Sequence, residues 1–133
     1  MLCYTTPSME GIKSIISFDE FSKVDLAVGK IVEVIDVPQS EKLYKMTVDF
    51  GPSTGASTEL SRTSSGLKTI FAGLRKFILK RQLKNKKFVF VVNLAPRPMP
   101  SGESQGMMLV IEHKDGFILL PAPKGSVEGS RLT

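Results

Sequence analysis

Phe88 to Leu94 reads FVFVVNL, an aromatic and β-branched run with no charged residue. A run this apolar makes a strand that is covered on both faces. Two longer segments carry strand patterns as well. Leu26 to Val37, LAVGKIVEVIDV, is rich in β-branched residues, and Gly29 within it marks a bulge or a sharp bend. Leu43 to Phe50, LYKMTVDF, alternates: Tyr44, Met46, Val48 and Phe50 fall on one face, and Leu43, Lys45, Thr47 and Asp49 on the other. Pro38-Gln39-Ser40-Glu41 separates the two.

Shorter strands are expected at Lys68 to Ala72, at Met107 to Glu112, and at Phe117 to Leu120 after the Lys114-Asp115-Gly116 turn. Leu74 to Leu83 reads as the one helix. Leu74, Phe77 and Ile78 share one face, while Lys76, Lys80 and Lys84 recur every four residues as a lysine stripe. Ser17, with Glu20 three residues later, has the form of a capping box opening a short helical turn. Residues 1–17 read as a tail and 18–133 as one domain. The Ser/Thr/Gly-rich segment Gly51 to Gly66 reads as a long mobile loop, without the Gly-Lys-Ser/Thr of a phosphate-binding loop.

The order is three strands, a helix, then two or three strands. That predicts an all-β domain with one short helix: a five-stranded Greek-key barrel of the oligonucleotide/oligosaccharide-binding (OB-fold) type. Such barrels bind ligands on strands two and three and on the first–second and fourth–fifth loops. Here those loops are VPQSEK and APRPMPSGESQG.

Composition narrows the chemistry. With one cysteine, Cys3, and one histidine, His113, an intramolecular disulfide is impossible. A cysteine metal site, a zinc cluster and a histidine-based triad have no support. No pair of carboxylates stands out. The expectation is no catalytic residue, no metal and no cofactor. No apolar run approaches the ~18 residues of a membrane helix, and the N-terminus lacks a signal-peptide layout, so the chain reads as cytoplasmic. The net charge is +5 among 133 residues, but Arg75 to Lys87 alone carries seven positive charges and no acid, leaving the rest at −2 (5 − 7). The basic character is local, which fits either a polyanion-facing patch or a solvated helix face.

Several blocks together resemble a known family. VDLAVGKIVEV, VPQSEKLYKMTVDFG, KTIFAGL, FVFVVNLAPRPMPSGESQGMML and the closing GSRL are similar to the tRNA-binding domain found at the C-terminus of many methionyl-tRNA synthetases. The same domain occurs in free-standing tRNA-binding proteins, in synthetase-associated cofactors and in the endothelial-monocyte-activating polypeptide. The match runs from about Ile16 to Leu132. The most specific segment is Asn-Leu-x-Pro…Glu-Ser-Gln-Gly-Met. The resemblance implies a barrel that binds tRNA largely by shape and backbone, does no chemistry, and assists an aminoacyl-tRNA synthetase to which it is joined or docked. It also implies a homodimer. A dimeric chaperone-like or cytokine-like interaction protein on the same barrel is the alternative. The sequence closes without the additional C-terminal module of the cytokine-like relatives and without a synthetase catalytic domain. Family members often carry cations where this chain has Ala27, Ala95, Pro98 and, nearby, Pro100. That shifts the expected electrostatic pull toward the lysine stripe.

The candidate RNA-binding residues follow. Lys30, Lys42, Lys45 and Lys68 lie on or beside the expected binding strands, with Lys42 and Lys45 flanking the first–second loop. Lys76, Lys80 and Lys84 form the stripe. Arg97 stands among Pro96, Pro98 and Pro100, which limit the entropy lost on ordering it, and its guanidinium can grip a phosphate or stack on a base. Asn93 closes a buried strand and either holds the following loop or touches RNA. Ser104 and Gln105 either contact RNA or shape the loop. Met99 is placed against a base or sugar, whereas Met107 and Met108 read as core and interface filler. Tyr44 and Phe71 have rings that can stack on bases, but at strand spacing they read as core.

Overall fold

The computed structural model describes residues 12–51 and 66–133. Cys3, most of the tail and the interior of the Gly51–Gly66 loop lie outside the described residues.

Five antiparallel strands form one sheet in the spatial order β3-β2-β1-β4-β7. These are β1 (Leu26–Asp36), β2 (Tyr44–Asp49), β3 (Leu67–Ala72), β4 (Lys87–Val91) and β7 (Met107–Met108). The sheet curls until its two ends meet, giving a nearly closed, OB-like barrel. β1 is long because both halves of the barrel use it. Lys30 to Asp36 pairs with β2, and Leu26 to Lys30 pairs with β4. On the other edge of that first half, the C-terminal segment adds a short rung. Val28 N donates to Ser130 O at 2.9 Å, and Leu132 N donates to Leu26 O at 3.0 Å.

The predicted alternation of LYKMTVDF is seen directly: Tyr44, Met46, Val48 and Phe50 are buried. They pack with Ile31, Ile70, Leu83, Phe88 and Phe90, and Phe50 meets Phe90 edge-to-face with ring centroids 5.4 Å apart. Gly29 is not itself the bulge. The register slips between Ile31 and Glu33, and a Cβ on Gly29 would stand 2.6 Å from both Phe50 and Val48. Glycine is there for close approach across the core.

The expected helix over Leu74 to Leu83 is mostly absent. Only α2 (Lys80–Leu83) is helical, after a separate turn at Arg75 to Phe77. Leu79 between them is extended, with φ −82° and ψ 150°. At the break, a side chain from β2 occupies a carbonyl of this segment. Tyr44 Oη donates to Ile78 O at 2.7 Å, taking the carbonyl that a continuous helix would give to Gln82 N. Gln82 N bonds Leu79 O instead, and the Gln82 side chain accepts from Leu79 N. Tertiary packing overrides the helical period. The capping box on α1 (Phe18–Phe21) is present as expected, with Glu20 N to Ser17 Oγ at 3.1 Å and Ser17 N to Glu20 Oε1 at 2.9 Å.

The expected fifth strand, Met107 to Glu112, divides in two. β7 and Leu109 continue the ladder on β4, after which the chain leaves as a hairpin of β8 (Val110–His113) and β9 (Gly116–Leu119). Pro121 and Ala122 then return to the same edge of β4, at Phe88 and Lys87. The hairpin is thus an excursion out of a single ladder. Of the expected Lys114-Asp115-Gly116 turn, Lys114 and Asp115 form the turn and Gly116 already pairs with His113 as the first residue of β9.

Candidate nucleic-acid interface

The stretch between β4 and β7 is not a plain loop. It forms a second hairpin, β5 (Arg97–Met99) paired with β6 (Gly102–Ser104). The alternating prolines suit this, since Arg97 and Met99 keep N–H groups while the prolines occupy the intervening positions. Asn93 anchors its root. Its Oδ1 accepts from Asp25 N at 2.8 Å, and its Nδ2 donates to Lys23 O at 2.6 Å. Both bonds tie the end of β4 to the lead-in of β1.

The hairpin folds against the outer face of β2 and β3. Lys45 and Phe71 are directly opposite each other on that face. Lys45 Nζ donates to Ser101 O at 3.2 Å at the hairpin tip, and Gly102 faces the Phe71 ring, which a Cβ there would meet at 3.8 Å. Phe71 is therefore only 7% exposed although it faces away from the core. Tyr44, the other aromatic considered for stacking, is inside and its hydroxyl is occupied.

Ser104 and Gln105 close the barrel. Ser104 Oγ accepts from Phe71 N at 3.0 Å and donates to Gly106 O at 3.0 Å. Gln105 N donates to Thr69 O and Gln105 Oε1 accepts from Thr69 N, both at 2.8 Å. Two side chains and one backbone N–H thus supply the bonds that a strand would have made to β3. These contacts are structural ones, and they hold the hairpin in place.

The lysine stripe does not exist as a helical face, because the break at Leu79 puts Lys76 outside the helix that holds Lys80. Lys80 Nζ lies 3.3 Å from Asp36 Oδ2, beside Arg75, whose Nε is 3.5 Å from Asp36 Oδ1. Arg75 also clamps the first–second loop by donating from Nη1 to Val37 O at 3.2 Å and to Ser40 O at 2.5 Å. Its backbone N–H bonds Lys42 O at 3.1 Å. Lys42, Arg75, Lys76 and Lys80 consequently sit together at one end of the barrel. Lys84 lies past α2, next to Asn85, which bonds the middle of β1. Lys87 pairs with Glu128 at 3.8 Å.

Of the lysines on or beside the strands, Lys45 reaches the hairpin that carries Arg97, Met99 and Ser104, while Lys42 sits in the first–second loop beside Arg75. Lys30 lies apart, opposite Asp49 and Lys87 on its two sides. Lys68 pairs with the buried Val48, so it has inward parity at the far end of β3. Arg75 as a loop clamp and the covered Phe71 carried no local sequence signal, because both depend on pairing between distant segments. Between the hairpin and the end of β3 lies a pocket of about 280 Å³, with Phe71, Leu74, Met99, Met108 and Phe117 in its wall and Arg97 among its lining residues. Among the described residues no three His, Cys, Asp or Glu side chains gather as a metal site, and no helix is long and apolar enough to cross a membrane.

Comparison with known proteins accords with this geometry. Residues 26–131 match the family described as a putative tRNA binding domain. The chain is 38% identical over 120 residues to a methionine–tRNA ligase of Chloroherpeton thalassium, covering 90% of this chain and 15% of that protein. A similar match is to the methionine–tRNA ligase of Pyrococcus furiosus, 38% identical over 117 residues and 14% of its length. The chain thus spans about one seventh of these relatives. Among solved structures, a MetRS-related protein from Pyrococcus horikoshii superposes with a TM-score of 0.76 at 33% identity, covering 91% of this chain and all of that one. A CsaA chaperone protein from Picrophilus torridus gives 0.74 at 31% identity, covering 90% of this chain and all of that one.

Proposed function

The chain belongs to the putative tRNA-binding domain family, and from that premise we propose that it is a non-catalytic module that binds tRNA by shape and phosphate backbone. It assists an aminoacyl-tRNA synthetase in the cytoplasm, and the relatives favour methionyl-tRNA synthetase. The observation that carries the reading is the gathering of Lys42, Lys45, Arg75 and Arg97 around one end of the barrel and its hairpin. Cations on a rigid frame gain affinity by releasing counterions from phosphates. The module concentrates tRNA near a synthetase without supplying reacting groups. Titration with unfractionated tRNA at several salt concentrations tests this. Three or four phosphate contacts give a slope of about −3 in log K against log salt. Absence of binding at low salt, or a flat slope, overturns it.

Homodimerisation is part of the same reading. Ile12, Ile15, Ile16, Phe18, Phe21 and Val24 form an exposed apolar segment before β1, with Ile15 97% and Phe18 79% exposed. A second copy would cover it. Light scattering is expected to give twice the chain mass without tRNA, and that mass plus the mass of the bound tRNA with it.

A second reading rests on the similarity to the Picrophilus torridus CsaA chaperone protein. It makes the chain a dimeric chaperone-like protein. Undiminished suppression of aggregation by a Lys42→Ala/Lys45→Ala/Arg97→Ala variant, without tRNA affinity in the parent, would favour it.

A further inference from the structure

We propose that the pocket between the β5–β6 hairpin and the end of β3 receives a single unpaired RNA base. This rests on the RNA-binding reading and says where on the molecule a base goes. The pocket, about 280 Å³, lies just below the ~300–1,000 Å³ usual for small-molecule sites. It therefore suits one base rather than a stack or an extended peptide. Its wall carries the half-buried ring of Phe117 and thioether of Met99, with the nearly covered Phe71 and Met108 behind them. A flat π-system packs well on such a wall, and it does so whatever the base, because every base has a π-face.

Polarity points the same way. Arg97 is the one charged residue in the lining, and no carboxylate is there. A base brings phosphates on both sides of its sugar, and Arg97 stands in the lining to meet one of them. Arg97 is exposed on β5, and the prolines on either side of it fix the backbone from which its guanidinium meets a phosphate. The buried hydroxyl in the lining, Ser104 Oγ, is already engaged with Phe71 N and Gly106 O. The pocket consequently takes a base without reading its edge through that group, as a protein that binds many tRNAs requires. Unpaired bases occur in RNA loops and at single-stranded ends, and both present the same chemistry.

The test uses the full chain with its methionine methyl groups labelled for NMR. Met46, fully buried in the barrel core, is the internal control for folding. A single-stranded RNA trinucleotide is expected to shift the Met99 and Met108 methyls and leave Met46 still. A ribose-phosphate trimer without bases should move neither. Ala95→Trp, which places bulk in the lining, is expected to weaken trinucleotide binding about tenfold or more, with tRNA weakened less and its salt slope kept. Comparing intact tRNA with tRNA trimmed of its single-stranded 3′ end tells an end from a loop as the source. If tRNA binds with a steep salt slope while the pocket methyls stay still, the base pocket is wrong and the electrostatic reading survives. If an apolar peptide shifts those methyls and the trinucleotide does not, the pocket serves a protein and the inference falls. If neither tRNA nor trinucleotide binds, both readings fail.

Discussion

The barrel is closed in two different ways. Around β1, β2 and β4 it is held by backbone ladders, in which the bonding groups are the same whatever the side chains. Between β3 and the return of the β5–β6 hairpin it is held largely by the side chains of Ser104 and Gln105. The first kind of closure constrains only burial and size. The second demands particular residues at particular places. Gly106 belongs to it as well, since a Cβ there would stand 2.7 Å from Val91 O and 3.3 Å from Ile70. This explains why the Ser-Gln-Gly segment is specific while the strands are merely apolar. The same seam supports Phe71 and the pocket, so the proposed base site and the closure share residues.

Crowding the ladder side should produce the largest effect. Gly29→Ala puts a methyl 2.6 Å from Phe50 and Val48. Overpacking of this kind costs about 3 kcal/mol. The denaturation midpoint should fall sharply, with tRNA affinity at low temperature little changed because no cation moves. A stable variant would mean that the β1 ladder yields more easily than its packing implies.

The seam should give a smaller loss with a local signature. Ser104→Ala removes the acceptor of Phe71 N and leaves that buried N–H unpaired, which costs about 1–3 kcal/mol. Hydrogen exchange at Phe71 and Thr69 should quicken well before that of β1 and β4. Uniform acceleration across the barrel would show that the seam is no weaker than the ladders.

The contrast also explains what could be read from the sequence. The strands were legible because burial imposes a period of two on Tyr44, Met46, Val48 and Phe50. The capping box at Ser17 and Glu20 was legible because both partners lie within one turn. The helix expected over Leu74 to Leu83 is cut short because its 3.6-residue pattern carries no trace of the extended Leu79 or of Tyr44, distant in sequence, bonding Ile78 O there. With the helix goes the lysine stripe. The closing bonds of Ser104 and Gln105 reach β3 from more than thirty residues away; their motif marked them as special without saying whether they hold the loop or touch RNA. Arg75 gave no sign of its role, because its acceptors are carbonyls of a loop that only the fold brings near.

The smallest expected effect separates two lysines that look alike in sequence. Lys45 reaches from the outer face of β2 to the hairpin tip, where Ser101 O holds its ammonium in place. Lys68, on the neighbouring strand, has the inward parity of Val48 and lies at the other end of β3. Lys45→Ala should lower tRNA affinity by roughly threefold to tenfold and make the salt slope shallower by about one, the mark of one lost phosphate contact. Lys68→Ala should leave the slope unchanged. Stability should shift by under about 1 kcal/mol in either variant, because both side chains are partly solvated. Equal slopes for the two variants would place the RNA across the whole sheet rather than against the hairpin. A larger effect from Lys68 would move the interface to the opposite end of the barrel, away from Arg97 and the seam.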